Sequence, residues 1–226
     1  MKKAMKAMIV IVIVLNLSVF TANAERMKEV TCCKSGEIKT IILNIEDCTV
    51  EFDHSQDSDF KYSYDVSTVD ITYKLYNQTL QVSIHGNSVQ AEERELVYLA
   101  FPSSGIDLMI VKAVRSDISI DSIVETNSCI IAKDSSSIAL AIPSSQPHDI
   151  KIALQNSSAL FLKIEEMLEN FRIDAIAADD TNHLRMGTSY PDFYSRGKYH
   201  YKKGEDNLAI YVRMAENCDL EFYTGH

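Results

Sequence analysis

The sequence has no tryptophan, and only seven glycines and four prolines in 226 residues. It contains no Gly-rich phosphate loop, no G-x-S-x-G elbow and no H-E-x-x-H pair, so the signatures of nucleotide binding, serine hydrolysis and zinc hydrolysis are missing. No C-x-x-C occurs, which excludes a thioredoxin-like motif and argues against a zinc knuckle. The lack of tryptophan removes a platform that oligosaccharide-binding folds often display. Basic residues are also scarce: 22 Lys and Arg stand against 32 Asp and Glu, a net charge of −10. Binding a phosphate backbone needs clustered positive charge that releases counterions, so nucleic acid is a poor partner. The acidity serves solubility.

The remaining polar residues form no metal or cofactor pattern. His54, His85, His148, His183, His200 and His226 are scattered, with no H-x-x-x-H spacing. Asp53, Asp57 and Asp59 lack the glycine and closing glutamate of an EF-hand loop. The expectation is therefore no catalytic residue, no metal and no cofactor. Five cysteines (Cys32, Cys33, Cys48, Cys129 and Cys218) cannot all pair within one chain. Isolated thiols in a β core or turn are the simplest account of them.

The N-terminus has a definite character. Lys2, Lys3 and Lys6 precede the apolar run Met8 to Leu15, and Ala22-Asn23-Ala24 closes the segment with small residues two apart. These are the three regions of a secretory signal, with cleavage expected after Ala24. The competing reading is a retained anchor, because Ala7 to Ala24 carries no charge and about 18 residues is near the shortest bilayer span. Asn16, Ser18, Thr21 and Asn23 dilute that stretch, and no cysteine follows closely enough for a lipoprotein. Removing residues 1–24 leaves 202 residues with 19 basic and 32 acidic side chains, a net of −13. Residues 25–37 read as a polar lead-in and residues 38–226 as a single domain. The membrane would be met only in transit.

Period-two alternation dominates that domain. Val69, Ile71, Tyr73 and Leu75 are apolar at every odd position, and Leu80, Val82 and Ile84 resume on even positions after Tyr76-Asn77-Gln78-Thr79. This predicts a β-hairpin with one buried face. A shorter unit of small polar residues followed by alternating apolar ones recurs at Ser116–Ile120, Asn127–Ile131, Ser135–Ile142 and Asn156–Leu162. The ends echo each other: Glu46–Phe52 (EDCTVEF) and Glu216–Phe222 (ENCDLEF) are identical at four of seven positions. Short strands joined by Ser, Asn and Asp corners predict an all-β fold, a short irregular β-solenoid of stacked strands with an N-terminal hairpin region. Glu165 to Ala178 fits either a helix face or a strand.

The strand–turn–strand from Ile41 to Phe52, the hairpin around Tyr76 to Thr79, the segment Leu99 to Pro102, the "SDISI" and "SSSIALAI" units and the close from Lys203 into "ENCDLEF" resemble the putative-adhesin domain family of bacterial exported proteins. The resemblance spans roughly Ile38 to Phe222. It differs where Gly-Asp usually forms the turn, since Asp47-Cys48 and Asn217-Cys218 stand there. It implies a non-catalytic role by contact at the cell envelope or outside it, with an unknown protein or glycan partner, and carries no functional residues across.

Two further readings remain open. A stacked β scaffold also suits a polysaccharide lyase or glycoside hydrolase, which needs grouped carboxylates; Asp107, Asp117 and Asp121 could align on one face, although solvated surface is the simpler account of turn-region acids in an acidic chain. Separately, Tyr190, Phe193, Tyr194, Arg196, Lys198, Tyr199 and Tyr201 form an aromatic and basic stretch inside an acidic chain. That stretch is a candidate contact surface, or else a cap over the end of the stack.

Overall fold

The structure, a computed structural model, describes residues 27–34, 37–55, 59–65, 68–87, 96–102, 105–120, 127–142, 149–164, 170–186, 193–194, 197–205 and 208–224. Among these every regular element is a strand. In chain order they are β1 (Met27–Lys34), β2 (Thr40–Glu46), β3 (Thr49–Ser55), β4 (Asp59–Asp65), β5 (Val69–Tyr76), β6 (Thr79–Gly86) and β7 (Leu96–Pro102). Next come β8 (Leu108–Val114), β9 (Asp117–Ile120), β10 (Asn127–Lys133), β11 (Ser137–Ile142), β12 (Ile150–Gln155) and β13 (Ala159–Ile164). The last are β14 (Phe171–Ala177), β15 (His183–Met186), β16 (Phe193–Tyr194), β17 (Gly197–Lys203), β18 (Ala209–Ala215) and β19 (Asp219–Thr224). The polar lead-in thus contributes a strand of its own, β1. No helix of the described residues is long and apolar enough to cross a membrane.

Two sheets enclose one core. The ten-stranded sheet runs β1-β4-β7-β3-β9-β11-β13-β19-β15-β16, and the nine-stranded sheet runs β17-β14-β18-β12-β10-β8-β2-β6-β5. A strand in the second sheet turns a short corner into a strand of the first, as in β2–β3, β8–β9, β10–β11, β12–β13, β18–β19 and β14–β15. These units stack in parallel, so equivalent apolar residues form columns. Leu43, Val111, Ile130, Ile152, Val212 and Ala175 follow one another across the nine-stranded sheet. Val50, Ile118, Ile138, Leu160, Leu220 and Leu184 do the same across the other. All twelve are buried. This is the stacked β-solenoid that the alternation predicts.

The stack does not follow sequence order at either end. The β18–β19 unit lies between β12–β13 and β14–β15, and β2–β3 lies between the β6, β7 level and β8–β9. The two echoing segments, Glu46–Phe52 and Glu216–Phe222, are therefore the corners of units that are each covered by another level.

The corners explain the Ser, Asn and Cys residues. Asp47, Arg115, Asp134, Ser135, Asn156, Ser157, Glu216 and Asn217 adopt positive φ, between 48° and 67°, which reverses the chain. The next residue, Cys48, Ser116, Ser136, Ser158 or Cys218, points inward and is fully buried. Three of them close their own turns onto the carbonyl three residues back: Ser136 Oγ donates to Lys133 O at 2.6 Å, Ser158 Oγ to Gln155 O at 2.7 Å and Cys218 Sγ to Ala215 O at 3.0 Å. The same atoms join neighbouring levels, since the Cys48 N–H donates to Ser116 Oγ and the Ser116 N–H to Ser136 Oγ. Asn182 ends the column by accepting the Cys218 N–H at 3.0 Å. The Asp-Cys and Asn-Cys turns thus keep the geometry of the serine corners. Gly86 is required beside them, because a Cβ there would lie 2.1 Å from the Asp47 carbonyl oxygen.

The ends need separate description. The β5–β6 hairpin turns on Asn77 and Gln78, both at positive φ. Its odd face is not wholly buried: Val69 is covered, but Tyr73 and Leu75 are each 45% exposed because β5 is the last strand of its sheet. Within Glu165 to Ala178, Phe171–Ala177 is the strand β14, with Phe171, Ile173 and Ala175 buried on alternate positions. Residues 165–169 lie outside the described residues.

Candidate functional site

The outward face of the nine-stranded sheet carries the most distinctive surface. Parallel register lines its outward residues into rows across the strands. One row is Ile110, Cys129, Lys151, Tyr211, Asp174 and His200, on β8, β10, β12, β18, β14 and β17. The next, two residues along each strand, is Lys112, Ile131, Ala153, Arg213, Ile176 and Lys198. Between them lies an open trough of ≈ 330 Å³, floored by apolar groups of Ile131, Ala153 and Ile176. Lys112, Lys151, Arg213 and Lys198 are exposed around it. A chain of net −10 thus gathers cations along one apolar trough.

Internal contacts fix the far end of the trough. Arg172 Nη2 donates to the Tyr211 hydroxyl at 2.5 Å, with its guanidinium carbon 5.5 Å from the ring centroid. Arg172 Nε lies 3.2 Å from Asp174 Oδ2, and His200 Nδ1 lies 2.7 Å from Asp174 Oδ1. Asp174 is therefore held between two cationic or proton-bearing groups, while Tyr211 is fixed as a rigid ring beside Arg213 and Lys151. Cys129 stands three strands from Asp174, about 14 Å at the usual strand spacing. The thiol, carboxylate and imidazole do not meet as a nucleophilic array.

The sequence-derived candidates fall on both sides of β17. Lys198 and His200 face outward and border the trough, whereas Tyr199 and Tyr201 face inward and pack against the core. Tyr201 stacks on Phe171 with centroids 5.7 Å apart and meets Phe222 edge-on at 4.9 Å. Phe193 and Tyr194 form β16, paired with β15. Tyr190 and Arg196 lie outside the described residues. Sequence reasoning missed Lys151, Arg172, Ile176, Tyr211 and Arg213. Alternation marks Lys151, Tyr211 and Arg213 as outward, but only the insertion of β18 beside β12 brings them together.

The other acidic groups have different surroundings. Glu46, Asp47 and His85 come close enough to hold a cation, but Arg115 supplies it: Nε donates to Asp47 Oδ1 at 2.7 Å, and Nη2 to Asp47 Oδ2 at 2.8 Å and Glu46 Oε1 at 2.5 Å. Bonds to Asp47 and then Glu46 raise the Arg115 pKa above its ordinary range. Asp107 immediately precedes β8 and Asp117 opens β9 beyond the corner, so the length of β8 separates them, and Asp121 is outside the described residues. Of the candidate calcium residues, Asp53 is in β3 and Asp59 begins β4, while Asp57 is outside the described residues.

This architecture has a solved counterpart. The chain shares its fold with a putative cell adhesion protein from Clostridium sporogenes. The two align with a TM-score of 0.60 and 8% identity, over 88% of this chain and 100% of that one. Putative adhesins from Parabacteroides merdae and Parabacteroides distasonis align over 87% of this chain and 95% of theirs, at 11% and 12% identity. Their TM-scores, 0.25 and 0.28, are too low to establish a common fold. No family model and no curated protein matches the sequence.

Proposed function

We propose that this chain is an exported, non-catalytic protein that acts by contact at the cell envelope or outside the cell, through the outward face of its nine-stranded sheet. One observation carries the reading: in an acidic protein, Lys151 and Arg213 line an apolar trough, Lys112 and Lys198 flank it in the same row, and Arg172 on the neighbouring strand holds its Tyr211 ring. Exposed cations around a rigid aromatic form a surface suited to recognition, because little side-chain freedom is lost at the ring when a partner docks. Charge complementarity favours an acidic partner and would speed its encounter. The N-terminal segment, with its basic, apolar and small-residue parts, supports export. The fold shared with the Clostridium sporogenes protein is consistent with an adhesin-like role.

The carbohydrate-active alternative makes a different demand, since grouped carboxylates must act on a bound chain. The test immobilises the exported protein and presents acidic and neutral polysaccharides and envelope material. Saturable, salt-sensitive capture with the captured polymer unchanged in length is the expected result. Capture followed by shortening, with new reducing ends or unsaturated products, would replace this proposal with the enzymatic one.

A further inference from the structure

The two sheets match level by level except at one end. Starting from the corners, β2 lies opposite β3, β6 opposite β7, and β5 opposite β4, the last confirmed by Tyr73 and Tyr62 meeting edge-on at 6.4 Å across the core. The ten-stranded sheet then adds β1 beyond β4, whereas among the described residues the nine-stranded sheet adds nothing beyond β5. At the opposite end the levels balance, with β17 beside β14 and β16 beside β15. The imbalance leaves a step one strand wide along β5.

The residues along that step are apolar and incompletely covered. Tyr73 and Leu75 face inward from β5, each 45% exposed, and Ile71 is half-buried. The backbone of these residues also faces the step. A two-residue hairpin turn makes the closing pair, Tyr76 and Thr79, exchange both backbone bonds, and bonded pairs then recur at every second residue. The Asn87 N–H donating to Thr68 O at 2.7 Å continues the same phase. Lys74, Thr72 and Asp70 therefore bond to β6, and the N–H and C=O groups of Ile71, Tyr73 and Leu75 point to the open edge.

We propose that β5 is an acceptor edge for one extended segment of a partner protein, which adds the missing tenth strand to the sheet. Such strand addition takes affinity from backbone bonds and selectivity from alternate side chains. A second copy of the chain does not fit through its own β5, because a two-fold axis between the paired strands would place its β4 at the level that β1 occupies. A single segment meets no such obstruction. Its inward residues are apolar, against Ile71, Tyr73 and Leu75. On the outward side an antiparallel segment places an acid opposite Lys74 and a base opposite Asp70. This site rests on the strand order, the exposure of Tyr73 and Leu75 and the hairpin register, and is independent of the trough.

The test uses a labelled, end-blocked peptide Val-Glu-Val-Thr-Val-Lys-Val and the protein recovered from an exporting host. Fluorescence anisotropy should rise to saturation. Leu75→Pro removes a donor on the open edge without touching the ladder to β6, a position where an edge strand tolerates proline. It should weaken binding at least tenfold while circular dichroism and melting temperature stay close to the parent. If that variant does not fold, Lys74→Glu serves instead: it should weaken binding at least threefold, and replacing the peptide's Glu by Lys should restore it. Absence of saturable binding, equal binding by a folded Leu75→Pro protein, or a failed charge-swap rescue each overturns the proposal.

Discussion

Cys48 and Cys218 occupy the same corner column, both fully buried, yet stand on levels four steps apart, with β9, β11 and β13 between their strands. At the usual strand spacing that is about 19 Å, well beyond the roughly 7 Å between Cα atoms that a disulfide tolerates. Neither forms a disulfide, nor does Cys129. Burial raises the Cys218 pKa, so it reacts slowly in the folded state. Mass spectrometry of the non-reduced protein should find no Cys48–Cys218 crosslink, and a thiol reagent should label Cys218 only after denaturation. A crosslinked peptide would contradict the stacking order.

The corner column makes serine and cysteine interchangeable there. Cys218→Ser should leave the melting temperature nearly unchanged, since the hydroxyl can still donate to Ala215 O. Ser136→Ala is different: it removes the donor to Lys133 O and strands the buried Ser116 N–H, costing about 1–3 kcal/mol. Urea unfolding of both variants checks this, and a cost for Cys218→Ser equal to that of Ser136→Ala would count against the column.

Strand alternation in β17 separates two effects that the sequence leaves mixed. Tyr201→Ala removes a half-buried ring from Phe171 and Phe222 and should cost roughly 1–3 kcal/mol, less than a fully buried aromatic. Lys198→Ala should change stability by no more than about 0.5 kcal/mol, while weakening capture of acidic material. Thermal melts and binding on the same samples distinguish the two.

The last corner should respond to acid. The Asp179 carboxyl is held below its ordinary pKa, first by the Thr181 hydroxyl and then by the Glu216 N–H. A group depressed on folding stabilises above its unfolded value, near about 3.9 for Asp, and loses that contribution as pH falls through the folded value. Asp179→Ala should therefore melt below the parent from pH 7 down to about pH 5. The gap should close under more acidic conditions, and a gap that widens on acidification would show that the carboxylate is not the stabilising form.

Much of this was legible in the residues. Alternation located the hairpin at Asn77-Gln78, and the Ser, Asn and Asp runs located the corners, because positive-φ turns and inward small polar groups leave a local pattern. What alternation cannot convey is which unit stacks on which. The placement of β18 between β12 and β14 depends on packing between segments far apart in sequence, and it alone unites Lys151, Tyr211 and Arg213. The half-open face of β5 was hidden for a similar reason. Tyr73 and Leu75 have the spacing of buried residues, and only the strand order shows that no described neighbour covers them.

Two charge reversals of equal size compare the faces directly. Lys151→Glu with Arg213→Glu alters the trough, whereas Lys163→Glu with Arg185→Glu alters the outward face of the ten-stranded sheet. Capture of acidic envelope or glycan material by each exported protein is measured at one ionic strength, after matching melts establish that both are folded. The trough pair should abolish capture and the other pair should leave it within about twofold. Equal losses from both faces, or full capture by the trough variant, would contradict contact through the nine-stranded sheet.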